Sequence, residues 1–171
     1  LILSSSWDAG GSWIRPEHGS MALYESTVTF HGPGTFTGIL PFPDLPETGR
    51  GGKELLIEKD AGGLPVYYKD VGVLATREDE EGMIRELSDI IDLSGRMDPD
   101  GSLSWDAPEG TWEITRFVCS NTGEPLKVPS PNSTGRSMDH FSAAATDFHF
   151  NYFLDRLQRK LGDIGDTPIK Y

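Results

Sequence analysis

The sequence predicts a mainly β protein: an antiparallel β-sandwich, jelly-roll-like, inserted in a βα unit and followed by a C-terminal α-helix. Three observations carry this. The 171 residues include 20 glycines and 12 prolines against 36% hydrophobic residues, a turn-rich composition that suits short strands better than a helical bundle. Apolar residues recur with period two over much of the stretch from Ser26 to Cys119. Helical periodicity is sustained in one long segment near the end, from Ser142 to Leu161. The length allows one ordinary domain, or one with appendages, and a sizeable core.

In chain order, Leu1-Ile2-Leu3 reads as the end of a buried strand, and a start inside such a run, without Met, predicts an excised fragment. Residues 4–13 form a polar loop carrying Trp7 and Trp13. Loops of this kind at the carboxyl end of a strand are where α/β enzymes place substrate contacts, while local packing is the plainer role for either ring. Pro16 to Tyr24 predicts a short helix started by its proline, with Met21, Leu23 and Tyr24 as apolar residues.

From Ser26 the period is two. Val28 and Phe30 alternate with polar neighbours, Gly32-Pro33-Gly34 turns the chain, and Phe36 to Leu40 returns, which predicts a first hairpin. Pro41 to Gly63 is a Pro- and Gly-rich surface loop. Its Gly49-Arg50-Gly51-Gly52 is no phosphate loop, because no Gly-Lys-Ser/Thr follows and the strand–loop–helix context is missing. Val66 to Thr76 is the longest strand candidate, with Gly72 marking a bulge or a close backbone approach. An acidic loop from Arg77 to Gly82 precedes a short strand at Ile90-Ile91-Asp92-Leu93. Asp98-Pro99-Asp100-Gly101 is a turn; its two carboxylates lack the remaining ligands of an EF-type calcium loop.

The segment from Leu103 to Cys119 anchors the core. Its halves alternate large apolar and polar residues, and Ala107-Pro108-Glu109-Gly110 places Pro at i+1 and Gly at i+3 of a type I turn, which predicts a second hairpin. Trp105 and Trp112 bring more apolar area than any other strand pair. After Cys119 the chain turns polar and Pro-rich, and Asn132-Ser133-Thr134 matches the glycosylation pattern. In the final helix Ser142 serves as N-cap and Gly162 as the stop. Phe150, Phe153, Leu154, Leu157 and Leu161 form one apolar stripe between them. Residues 168–171 begin another strand.

The ends therefore read as one βαβ unit, interrupted after its first strand by an all-β insertion with at least six short strands. The boundaries are 1–24 for the strand and loop piece, 25–130 for the sandwich and 131–171 for the linker plus helix. A formal charge of −12 excludes nucleic acid, since nothing could neutralise a run of phosphates. Charge alone does not choose a compartment. Cys119 is the only cysteine, so there is no intramolecular disulfide or cysteine-rich metal site, and its strand position predicts a packed, inert thiol. No apolar run is long enough to span a membrane and no signal peptide is evident.

Several strings follow one another in a characteristic order. They are Ser6-Trp7-Asp8-Ala9-Gly10-Gly11-Ser12-Trp13-Ile14-Arg15-Pro16-Glu17, Tyr67 to Ala75, Ile91 to Ser94, Asp100 to Phe117 and Asn121-Thr122-Gly123. Together they resemble glycoside hydrolase family 106, the α-L-rhamnosidase-like enzymes of bacteria that degrade plant polysaccharides. Trp105-Asp106-Ala107-Pro108-Glu109-Gly110-Thr111-Trp112-Glu113-Ile114-Thr115-Arg116-Phe117 is the most specific part. The resemblance implies a (β/α)₈ barrel interrupted by β domains, so that the two ends of this chain are barrel-derived. It also implies inverting hydrolysis by two glutamates on strands beyond Tyr171, calcium-assisted rhamnose binding in the parent enzyme with no cofactor in this fragment, and a periplasmic or extracellular location. Where the family reads Glu-x-Asp-Lys-Leu-Ser, this chain has Ser137-Met138-Asp139-His140-Phe141-Ser142, keeping Asp139 and Ser142 and replacing the lysine by His140.

No catalytic residue is expected in the fragment. Trp7 and Trp13 offer flat faces to a sugar ring, and Glu17, His18, Asp139 and His140 are placed to line the same mouth, although loop acids and histidines are commonly only solvated. His31 and His149 fit structural roles better. Two functions are open: a non-catalytic sandwich that supports or borders the active site of a larger hydrolase, or a carbohydrate-binding module with its own platform. A purely structural domain is the bland alternative to both. Expected partners are rhamnose-containing carbohydrate, the rest of the parent barrel, and a second copy of the chain if the stripe from Phe150 to Leu161 stays uncovered.

Overall fold

The computed structural model describes residues 9–77, 79, 81, 83–127 and 134–166. The expected strands at 1–3 and 168–171, Trp7, and Asn132 and Ser133 of the glycosylation pattern lie outside the described residues. The elements are β1 (Gly10–Gly11), β2 (Met21–Ile39), β3 (Tyr68–Arg77), β4 (Ile90–Asp92), β5 (Ser102–Asn121), β6 (Arg136–Ser137) and α1 (Ala143–Leu161). They form a four-stranded sheet in the order β2-β5-β3-β4 and a two-stranded sheet β1-β6. The protein is thus mainly β and antiparallel, with one C-terminal helix, as its periodicity predicts. The chain divides into two compact units, one of 22–45 and 68–120, the other of 1–21, 46–67 and 121–171.

The first unit holds the four-stranded sheet, built on two long bent strands. Along β5, Leu103, Trp105 and Ala107 are buried, and then Trp112, Ile114, Arg116, Val118 and Ser120. The inward parity changes from odd to even across Pro108 and Glu109, which are both exposed. The chain does not reverse there. Thr27 bonds Thr115 at 3.0 Å, His31 bonds Thr111 at 3.0 Å and Thr35 donates to Asp106 at 2.6 Å, so β2 runs antiparallel beside β5 along its length. Both expected hairpins are therefore corrected: each is one continuous strand, and the two strands bend together.

Proline and glycine permit a bend as readily as a turn, and the neighbouring strand decides between them. The two bends lie against each other, since a Cβ on Gly32 would fall 2.0 Å from the Pro108 carbonyl oxygen. Bending brings Trp105 and Trp112 edge to face, with centroids 5.3 Å apart and planes at 89°. The Trp112 indole N–H is satisfied within its own strand by the Pro108 carbonyl at 3.0 Å. Leu40, Val73, Ala75, Leu93, Leu103 and Ile114 close the core around this pair.

Between β3 and β5 the register slips between Asp70 and Gly72, so the bulge that Gly72 announces is present. Arg116 lies beside it with a side chain only 5% exposed. Its guanidinium donates to both Asp70 oxygens at 2.7 and 3.1 Å and to the Leu40 carbonyl at 3.0 Å. A buried charge paired and bonded this fully is retained because neither partner is left desolvated alone. Cys119 is half-buried and carries a free thiol.

The second unit holds β1, β6 and α1. The helix expected from Pro16 to Tyr24 is a single 3₁₀ turn, Pro16–His18, and Met21 already starts β2. Pro16 presets the turn, but pairing takes over once the chain reaches the sheet, and Gly19 is already extended. The expected cap holds on α1, where the Ser142 hydroxyl accepts the Ala145 N–H at 3.2 Å. Gly162 ends the helix with φ +80° and donates to the Gln158 carbonyl at 2.9 Å.

Candidate functional site

Backbone pairing inside the second unit assembles the candidate residues. The segment after the 3₁₀ turn runs antiparallel to the segment before α1: Asp139 N–H donates to the His18 carbonyl at 2.9 Å, and Ser20 N–H to the Ser137 carbonyl at 3.0 Å. The Asn121 amide anchors the turn by donating to the Pro16 carbonyl at 2.7 Å. On the other flank, β1 pairs with β6, placing the loop that carries Trp13 beside the same helix. Gly11 must be glycine there, with φ +151° and the Trp13 ring so close that a Cβ would lie 2.4 Å from its carbons.

The result is a layer of rings on α1. Trp13 stacks on Tyr152, with centroids 4.5 Å apart and planes at 14°, and on His149 at 5.8 Å and 24°. Its indole N–H donates to His149 Nδ1 at 3.2 Å. His18 lies over Phe148 at 4.4 Å, the Arg15 guanidinium sits 5.4 Å from the same ring, and Arg156 covers Tyr152 at 4.1 Å. The hydrogen bond from Trp13 requires Nδ1 of His149 to be unprotonated, so the imidazole is neutral and carries its proton on Nε2. Burial pushes the His149 pKa down, and repulsion from His140 adds to that.

Of the expected site residues, Trp13 and His18 meet on the helix and His140 is near enough to act on His149. Asp139 faces the start of the helix, where one carboxylate oxygen accepts the Phe141 N–H at 2.9 Å. Glu17 is exposed and approaches Arg15 at 3.9 Å. His18 Nδ1 is buried without a hydrogen-bond partner. The residues that sequence reasoning missed are on α1 itself. Ala145, Phe148, His149, Tyr152 and Arg156 follow the same i, i+3, i+4, i+7, i+11 spacing as the apolar stripe, five residues earlier and so about 140° around the helix. The mixed stripe packs in this unit through buried Ala145 and half-buried Phe148, His149 and Tyr152, whereas in the apolar stripe Leu154 and Leu157 are half-buried and Phe150, Phe153 and Leu161 remain 41%, 39% and 50% exposed. Sequence hydrophobicity points to the wrong face, because aromatic stacking and a Trp–His bond can hold a helix with rings that count as polar.

Among the described residues no group of three or more His, Cys, Asp or Glu side chains is gathered to hold a metal ion. No described helix is long and apolar enough to cross a membrane.

Comparison with known proteins agrees with this architecture. The profile of glycoside hydrolase family 106, described as alpha-L-rhamnosidase, matches residues 83–171. A protein of Formosa agariphila provisionally named a beta-glucuronidase is 22% identical across 97% of this chain, which spans 15% of that protein. The solved structure of a rhamnosidase from Novosphingobium sp. PP1Y superposes with a TM-score of 0.59 at 13% identity, over 90% of this chain and 29% of the other. That likeness is one of fold. The chain thus spans less than a third of the length of either relative.

Proposed function

Since this chain belongs to glycoside hydrolase family 106, the α-L-rhamnosidases, we propose that it is a non-catalytic, β-rich segment of a larger bacterial enzyme. It supports or borders a sugar site formed mostly by other parts of that enzyme, which acts outside the cytoplasm on rhamnose-containing plant polysaccharide. Calcium and the acid–base pair belong to those other parts. The observation that carries this reading is the burial of Trp105 and Trp112, only 3% and 1% exposed. A self-contained carbohydrate-binding module needs flat rings open to solvent, and the two largest rings of the sandwich are spent on its core. The uncovered stripe of α1 supports contact with the remainder of the parent enzyme. Trp13, His18, Asp139 and His140 are the part of the chain proposed to lie nearest the sugar.

The test is an NMR titration of the chain with L-rhamnose and rhamnose-containing pectic oligosaccharides, following the indole N–H signals, alongside an assay on an aryl rhamnoside. The expected outcome is no turnover and no saturable shift at Trp105 or Trp112. A shift confined to Trp13 or Trp7 would place the chain at the border of the sugar site. Saturable shifts at Trp105 or Trp112, or hydrolysis by the isolated chain, would overturn the proposal.

A further inference from the structure

We infer that the Trp13–His149 contact is a proton-operated clasp, which fixes the Trp13 indole on α1 at neutral pH and frees it when the imidazole is protonated. The hydrogen bond is directional: the indole can only donate, so Nδ1 must accept, and only the neutral imidazole has a lone pair there. Adding a proton to Nδ1 removes the acceptor and sets two donors against each other 3.2 Å apart. Release is confined to the indole, because buried Ile14, the pairing of β1 with β6 and the Met138 N–H on the Ala9 carbonyl at 3.0 Å hold the loop's backbone whatever the state of His149.

The surroundings bias the clasp toward opening once a proton arrives. From the loop side the charged or titratable groups are Arg15, Glu17 and His18; from the segment before the helix, Asp139 and His140; from α1 itself, Asp147, Tyr152 and Arg156. Arg15 and Arg156 both lie over rings of this layer, at 5.4 and 4.1 Å. Glu17 approaches Arg15, and Asp139 accepts a backbone N–H at the helix start. Among the described residues no carboxylate forms an ion pair with His149 to stabilise its charged form. His149 therefore resists protonation while the clasp is shut, for the desolvation and His140 repulsion described above, and gaining a proton favours the freed indole.

The experiment is an NMR pH titration of the whole chain, reading the Trp13 indole N–H and the His149 ring without any sugar, so that its result is independent of whether the chain binds carbohydrate. The Trp13 indole signal should move, and its exchange with water quicken, in step with His149 protonation below about pH 6.5. In His149→Gln, whose amide oxygen accepts at any pH, the indole signal should lose that dependence. Trp13→Phe keeps a stacking ring without the donor and should raise the His149 midpoint by roughly 0.7 of a pH unit. His140→Gln should raise it as well, by removing a like charge. An indole signal that ignores the His149 titration, or a midpoint unchanged in Trp13→Phe, would overturn the inference; the second variant decides the matter if His149→Gln does not fold.

Discussion

Trp112 and Trp13 both satisfy their indole N–H, but by opposite means. Trp112 donates to the carbonyl of Pro108 in its own strand, within the main apolar core and with the Arg77 guanidinium over its ring at 5.4 Å. Trp13 donates to an imidazole 136 residues away, on the surface of a helix. A carbonyl acceptor cannot be titrated and the local partner arrives with the strand, so the first arrangement is insensitive to pH. The second depends on a tertiary contact and on a proton. One unit of the protein is thus built for permanence, and the other carries a contact that conditions can break.

The largest effect expected from breaking that contrast is at the core. Trp112→Ala removes half of the edge-to-face pair and should destabilise the sandwich by about 3–5 kcal/mol, measured by urea unfolding. Asp70→Ala should cost about 2 kcal/mol, less than for a wholly buried pair because the Asp70 side chain is 28% exposed. The loss arises because Arg116 keeps its charge and loses its counterion, so Arg116→Met in the same background should recover part of it.

Acid should separate the two units by window. The His149 pKa is lowered from its ordinary 6.5, so its contribution is complete above that value and is lost as pH falls through and below it. Asp89, Asp92 and Asp100 of the sandwich are held below their ordinary 3.8, chiefly by hydrogen bonds from Arg77, Ser94 and Ser102 respectively. Their contribution persists down to that range and is lost only on further acidification. The Trp13 indole should therefore respond as pH falls below about 6.5, while Trp105 and Trp112 hold until below about pH 4. Simultaneous loss of all three signals would erase the distinction. The smallest effect is at Glu17: its long, exposed approach to Arg15 predicts less than about 0.5 kcal/mol for Glu17→Gln.

By itself, the amino-acid sequence determined whatever rests on local chemistry. Period-two alternation marked β2, β3 and β5 as strands, Gly72 announced the bulge, and Ser142 and Gly162 bounded α1. The Asp98–Gly101 turn was legible too, closed by the Gly101 N–H on the Asp98 carbonyl at 2.8 Å with Gly101 at φ +87°. Each of these depends on a side chain and its near neighbours, or on a φ that only glycine takes readily. Tertiary structure alone decided whether Gly32-Pro33 and Pro108 reverse the chain or bend it. The same residues serve both outcomes, and only the partner strand distinguishes them. It also decided which stripe of α1 packs, and it turned His149 from an unremarkable helical residue into the acceptor for Trp13. That partner comes from the far end of the sequence, and no local pattern records a contact made across such a distance.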